Sequence, residues 1–298
     1  MFRAQFARFF QAMQHKEAAK VARDAPQQFL EQGKLNRTES DELVRYVLSI
    51  GRKQLIEKWL QEEKLECSEE LGDIIKPQDA MLALSVYLRA NAPAKVILCF
   101  AESGQYPNII VYSKKVGYQP DYIYLLNNIL RINQAAALEF AQKLLQDESG
   151  PLADVKAVVD AFVQRNMVQE ATSLLLDVLK PNRPEDADLQ TLLLEINLVA
   201  APQVADLILS KETFSHYDRN RVATLCEKAG LGQRALEHYS DLASIKRVIS
   251  QQGHMMNIDW LVNYFGTLSV EYTLDCLKDL FQARTRHGLQ IAVQVASR

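Results

Sequence analysis

Five histidines, four cysteines and one acidic run are the groups in this 298-residue chain with the means to bind a metal or move a proton. Their spacing argues against both uses. His15, His216, His238, His254 and His287 are dispersed, and the best local cluster, His216-Tyr217-Asp218, is explained by Asp218 acting as the N-cap of a following helix. Cys67, Cys99, Cys226 and Cys276 stand singly inside apolar helical patterns, with no CxxC pair for zinc and no dense disulfide framework. They are expected to be small core residues. Glu62, Glu63, Glu66, Glu69 and Glu70 could be taken for a metal or acid/base cluster, but a solvated helix end followed by the acidic first turn of the next helix is the simpler explanation. The short motifs of nucleotide, zinc, acyl-transfer and calcium chemistry are absent. No catalytic, cofactor-binding or metal-binding residue is predicted, no cofactor is expected, and an enzyme is the least favoured function.

The elements that would have to position any such groups are helices. With 48% hydrophobic and 24% charged residues the composition is that of an ordered protein, and no segment reaches the roughly 18 consecutive apolar residues that cross a bilayer. Direct membrane insertion is not expected. The net charge is −3 with basic and acidic residues interspersed, so no basic stripe suits nucleic acid. Phe2, Phe6, Phe9, Phe10 and Met13 form one continuous helical face that runs on into Ala18, Ala19 and Ala22. This reads as a core-facing helix, not a cleaved transit peptide, of a chain whose natural start lies further upstream.

Within "LCEKAGLGQRALEHYSDL" (Leu225 to Leu242) the helical spacing of apolar residues continues across Gly230 and Gly232, where a helix interior tolerates glycine least. The same interruption recurs. An aromatic or apolar residue is followed four positions later by Gly or Asn, and five beyond that by a small or aliphatic residue: Tyr87, Asn91, Val96; Phe100, Gly104, Ile109; Phe162, Asn166, Ala171; and Cys226, Gly230, Ala235. Phe9, Met13, Ala18 is a degenerate copy. Gly and Asn enter the left-handed backbone region at low cost, so Asn91, Gly104, Asn166 and Gly230 are predicted to close helix C-termini at hairpin turns. Connections this short make neighbouring helices antiparallel. Helix starts are expected at Thr38 (with Asp41), Ser68, Asp79, Asp121, Asp218 and Ser269, and Pro151 is expected near the first turn of a helix ending at Asn166. No convincing strand is found; "NIIVY" (Asn108 to Tyr112) continues into helical spacing. The fold class is therefore all-α: about ten hairpins of roughly 30 residues, each too thin to own a core, stacked into a right-handed α-solenoid.

Several long blocks carry a resemblance. "GRKQLIEKWLQEEKLECSEELGD" (Gly51 to Asp73), "ALSVYLRANAPAKVILCFAESGQ" (Ala83 to Gln105), "KKVGYQPDYIYLL" (Lys114 to Leu126), "APQVADLIL" (Ala201 to Leu209), "HYDRNRVATLCEKAGLGQRALEHYSDL" (His216 to Leu242) and "DWLVNYFGTLSVE" (Asp259 to Glu271) closely resemble the clathrin heavy-chain family. The resemblance implies a leg built of helical repeats, with residues 1–28 as the end of the linker, 29–150 as ankle-like hairpins and 151–298 as a clathrin heavy-chain repeat of the distal leg. It implies a semi-rigid strut of a three-legged assembly that forms lattices on the cytoplasmic face of coated pits and vesicles. The implied partners are other heavy-chain legs, and adaptor appendages at the ankle. The adaptor-binding propeller, the light-chain-binding region and the trimerisation segment of the family have no counterpart in this stretch. Family members carry additional sequence between the parts resembling Val21–Gln28 and Phe29–Asn36, so Gln28–Phe29 is either a deletion or an omitted loop.

Two other readings stand beside the coat strut: a helical-repeat binding module, and a vacuolar-sorting or tethering subunit with the same repeat. All three share the hairpin turns, which can be tested directly. Gly230→Val is expected to lower stability by at least ~1 kcal/mol, because a β-branched residue is strained at positive φ, whereas Gly230→Asn costs much less. The denaturation midpoints of the two variants provide the measurement.

Overall fold

The computed structural model describes Gln5, residues 33–282 and residues 286–296. Apart from Gln5, the segment assigned above to the linker, the copy at Phe9, Met13 and Ala18, and the junction Gln28–Phe29 lie outside the described residues. The chain divides into two compact units, residues 1–140 and 141–298. The first contains α1 (Arg37–Ser49), α2 (Lys53–Gln61), α3 (Glu69–Ile75), α4 (Ala80–Arg89), α5 (Pro93–Glu102), α6 (Tyr106–Val116) and α7 (Tyr122–Ile132), and α8 (Gln134–Leu145) crosses the division. The second contains α9 (Val155–Val163), α10 (Val168–Val178), α11 (Ala187–Ala200), α12 (Pro202–Ser210), α13 (Arg219–Lys228), α14 (Gly232–His238), α15 (Leu242–Gln252), α16 (Ile258–Phe265), α17 (Val270–Gln282) and α18 (Arg286–Ala296). Among the described residues there is no strand, and the fold is an all-helical α-solenoid.

The turns explain the architecture. Asn91, Gly104, Asn166 and Gly230 have φ of 53°, 72°, 60° and 78°. After each, the next residue's N–H reaches back to the carbonyl five positions earlier: Ala92 to Tyr87 at 3.1 Å, Gln105 to Phe100 at 2.8 Å, Met167 to Phe162 at 3.0 Å and Leu231 to Cys226 at 2.8 Å. With the shorter bond from the left-handed residue itself, this is the Schellman closure, which satisfies carbonyls that a helix end leaves unpaired. The first and third residues of all four triples are buried. The same closure occurs at Gly51 and Gly117, and at Glu63, whose φ of 53° no sequence rule indicated. Val47, Gly51 and Ile56 satisfy the triple pattern and were missed.

Helix starts are set by side-chain caps. Ser68, Asp79, Asp121, Asp218 and Ser269 each accept a backbone N–H three residues on. Two expectations need correction. The cap of α1 is Asn36, not Thr38: Asn36 and Glu39 exchange reciprocal 2.9 Å bonds in a capping box, which offers the N-terminus two satisfied donors. Pro151 precedes its helix and is not in the first turn; α9 begins after Asp154, which accepts from the Ala157 N–H at 2.8 Å.

Within each unit a helix packs against the next and, on one side of the stack, against the next but one, as in α1 with α2 and α3, or α11 with α12 and α13. The core is a thin seam between two helical layers. In the first unit Gly72 of α3 lies so close to α4 that a Cβ there would sit 2.2 Å from Cε1 of Tyr87. The Tyr87 ring is fully buried and its hydroxyl donates to Asp73 Oδ1 at 2.6 Å, so it has nowhere to retreat. Gly232 is a second such position, where a Cβ would collide with the Met256 methyl. The pair of glycines in the stretch from Leu225 thus has two reasons: Gly230 supplies the left-handed turn and Gly232 the close approach.

Gly72→Ala is expected to destabilise the chain by about 1 kcal/mol or more, since overpacking costs about 1–3 kcal/mol and outweighs the gain of about 1 kcal/mol from alanine's helix propensity. Gly232→Ala should cost less, because a methionine end can move. Chemical denaturation of the two variants checks the order.

Candidate functional site

With the hairpins too thin to be self-sufficient, the side chains that tie one to the next become the functional groups of the stack. These ties recur at nearly constant spacing along the chain, 25 to 29 residues in most cases, which is one hairpin. In the first unit Lys53 donates to Asp79 at 2.8 Å, Lys76 to Glu102 at 2.8 Å, and Arg89 to the Leu60 carbonyl. Asp73 collects both Lys95 and the Tyr87 hydroxyl. Burial pushes this carboxyl up, but the Lys95 and Tyr87 hydrogen bonds hold it below its ordinary range.

In the second unit Arg247 grips Glu227 with both oxygens engaged, at 2.7 and 2.9 Å, and Tyr239 adds its hydroxyl at 2.9 Å. The Arg247 bond, against burial, lowers the Glu227 carboxyl. Arg234 joins α14 to Asp206 of α12 at 2.7 Å, and Arg221 joins α13 to Glu195 of α11. A bidentate guanidinium fixes orientation as well as distance, which a lysine cannot do. One tie is fully buried and neutral: Asn197 donates to Thr172 Oγ1 at 2.9 Å and to the Leu193 carbonyl at 2.8 Å, bridging α11 to α10.

The chemistry-bearing residues of the sequence are placed as follows. Asn91, Gly104, Asn166 and Gly230 lie at four separate turns and converge on no common point. Cys99, Cys226 and Cys276 are buried and Cys67 half-buried, all as free thiols; burial pushes Cys226 up to about 12 and Cys276 to about 11. Glu62 to Glu70 disperse: Glu63 occupies a left-handed turn, the Glu66 N–H donates to Ser40, and Glu70 pairs with Arg37. Among the described residues no group of three His, Cys, Asp or Glu side chains could hold a metal ion, and no helix is long and apolar enough to cross a membrane. Trp59 is core, whereas Trp260 is half-buried at the core edge, stacked on Tyr264 with centroids 5.4 Å apart.

Two contacts escaped the sequence reading. His238 donates from Nδ1 to the Arg234 carbonyl and its Nε2 accepts from the Tyr217 hydroxyl, each at 2.7 Å. Burial lowers the imidazole below its usual range, so the ring is neutral and the bond to Tyr217 is kept. The ties themselves were also missed. Their signal, a cation and an acid one hairpin apart, becomes visible only when the repeat length is known.

Turns of one type, two thin layers and ties at one-hairpin spacing define the class: a repeat protein of the α-solenoid type. Comparison with known proteins gives the family. Residues 146–286 match the family described as "Region in Clathrin and VPS". The chain is 52% identical to the clathrin heavy chain of Drosophila melanogaster over all of its length and 20% of that protein. It is 57% identical to clathrin heavy chain 2 of Homo sapiens over 90% of this chain and 16% of that one, and 49% identical to the clathrin heavy chain of Dictyostelium discoideum over 98% and 19%. The chain belongs to the clathrin heavy-chain family. It spans about a fifth of the length of these relatives. The alignment with the fly protein runs over 329 positions against 298 residues here, so that relative carries sequence with no counterpart in this chain.

One ionisable group is held against its preference. Burial raises Asp41 of α1 from 3.8 to about 6 despite Arg37 and Arg45 nearby, and its Oδ1 is buried with no hydrogen-bond partner among the described residues. A carboxyl whose folded value is raised weakens the native state above that value, and the deficit shrinks as pH falls through about 6 toward 3.8. Asp41→Asn is therefore expected to raise the unfolding midpoint at about pH 7.5 and to change it little near pH 4. Midpoints of both proteins across that range test the assignment.

Proposed function

We propose that this chain is a leg segment of a clathrin-type coat, a semi-rigid strut that supports lattice assembly in coated pits and vesicles for endocytosis and intracellular transport. The observation that carries the proposal is the 52% identity to a clathrin heavy chain over the whole chain. The physical character of the stack agrees with it. Within each unit, hairpins locked at one-hairpin spacing by bidentate and buried ties resist bending. On this reading the segment works on the cytoplasmic side of the membrane, its partners are other heavy-chain legs and adaptor appendages, and its role is mechanical, with no catalysis.

The division of labour follows the family resemblance: residues 1–28 end a linker, 29–150 form the ankle and 151–298 a repeat of the distal leg. Asn91, Gly104, Asn166 and Gly230 are the turns that keep the strut's hairpins in register. Single leg-to-leg contacts in a reversible lattice must be weak, with stability arising from multivalency through the three-legged whole.

The isolated segment is accordingly expected to remain monomeric and build no lattice at moderate concentration, while a full-length chain containing it assembles. Deleting residues 29–298 from the full-length chain should abolish cages of normal geometry in electron micrographs; normal cages after deletion would refute the strut. Surface variants must spare the ties. Charge reversal at the exposed Lys115 probes a neighbour contact, whereas reversal at Arg221 would break its bond to Glu195 and loosen the stack itself.

A further inference from the structure

The Tyr239 hydroxyl stands where a carboxylate and a guanidinium meet. It donates to Glu227 Oε2 at 2.9 Å, and Nη2 of Arg247 lies 3.5 Å away, with the guanidinium carbon 5.8 Å from the centre of the tyrosine ring. Arg247 in turn holds Glu227 through both oxygens. The Glu227 side chain is 13% exposed and that of Arg247 45%, so the carboxylate is the sheltered partner and the guanidinium the one with room to turn. Tyr239 itself is half-buried and ends α14 in extended backbone, φ −77° and ψ 139°, with Ser240 and Asp241 as its link to α15. Glu237, Ser240 and Asp241 around it are exposed. An enzyme can engage this short extended link without unwinding a helix.

A phosphoryl group on this hydroxyl would carry about −1.5 to −2 charges at neutral pH and three strong acceptor oxygens. Attached to the oxygen that now lies 2.9 Å from Glu227, it opposes that carboxylate at contact distance. The same group is within reach of Arg247, and a guanidinium holds a phosphate in the bidentate geometry that it now gives Glu227. Arg247 therefore changes partner. The bond given up joins α13 to α15, whereas its replacement joins α15 only to the end of α14 just before it. Gln252 still donates to the Glu227 carbonyl at 2.7 Å, so α15 stays against α13 but loses the bond that fixes its rotation. Glu227 is left sheltered and without its cation, which destabilises the unmodified arrangement's remaining contacts.

We infer that Tyr239 is a phosphorylation site for a protein tyrosine kinase, and that its modification releases the tie between α13 and α15 by moving Arg247 from Glu227 to the phosphate. In the transfer the Tyr239 oxygen forms a bond to the γ-phosphorus of a magnesium-bound nucleoside triphosphate. The bond from that phosphorus to the β-phosphate oxygen breaks, nucleoside diphosphate leaves, and the phenolic proton passes to the kinase. Glu237 and Asp241, two residues to either side, suit a kinase with a basic substrate groove.

The test uses the full 298-residue chain, magnesium ATP and a purified tyrosine kinase that favours acidic substrates. Mass spectrometry of the digested protein should place a phosphoryl group on Tyr239. The thermal midpoint should fall by about 2–4 °C on treatment, the scale of losing one tie in a chain of this size. A phosphatase should restore it, a readout that needs no variant. Tyr239→Phe treated alike should show no fall, which separates Tyr239 from any other tyrosine the kinase modifies. Glu227→Gln keeps an acceptor for Arg247 and Tyr239 but removes the charge, so its treated form should fall clearly less from its own untreated midpoint. Helical circular dichroism before treatment establishes that both variants fold. No phosphoryl group on Tyr239, or one that leaves the midpoint unchanged, overturns the inference. So does a fall that persists in Tyr239→Phe, or one of equal size in Glu227→Gln, since repulsion of the carboxylate would then not be what releases the tie.

Discussion

The bond from the residue after each left-handed turn back to the carbonyl five positions earlier is the constraint on which this structure rests. It ends a helix and aims the chain at the next one within two residues, so the following helix has little choice but to return antiparallel. The carbonyls of Tyr87, Phe100, Phe162 and Cys226 each accept that bond, and their side chains are buried. A single residue type is not required. Gly104 and Gly230 reach positive φ freely, Asn91 and Asn166 at modest cost, and Glu63 does so without either advantage, with the Lys64 N–H closing on the Trp59 carbonyl at 2.9 Å.

Everything larger follows from the thinness of the product. Two antiparallel helices bury too little apolar surface to stand alone, so stability comes from the seam shared with the neighbours. Along that seam the close approaches are made possible by Gly72 and Gly232, and orientation is set by the ties one hairpin apart. Several of the ties are partly exposed ion pairs, each worth little in water. Their contribution is angular: Arg247 on Glu227 and Arg234 on Asp206 hold one helix at a definite rotation on the next. The buried bridge from Asn197 to Thr172 does the same with neutral groups, and its full satisfaction keeps the cost of burial low.

The same economy shapes the surface. Arg89 and Arg234 each reach across a groove between layer neighbours, to the Leu60 carbonyl and to Asp206. The groove lined by Leu125 and Ile129 has Arg131 at its edge without such a bond.

Much of this could be read from the residues. Apolar periodicity at helical spacing, caps at Ser68, Asp79, Asp121 and Asp218, and Gly or Asn at fixed offsets specify helices and turns because those signals act over a few residues, where backbone sterics and local hydrogen bonds decide. The starts at Thr38 and Pro151 were misplaced because several capping residues compete within a few positions, and the winner is set by the incoming chain. The tertiary structure alone decided which helices pack, which glycines make close contacts, and which charges meet. Gly72 needs Tyr87 above it, Tyr217 finds His238 only after the chain has reversed, and Glu102 pairs with Lys76. These outcomes depend on pairings one hairpin apart, and a local pattern carries no information about what will face it across the seam.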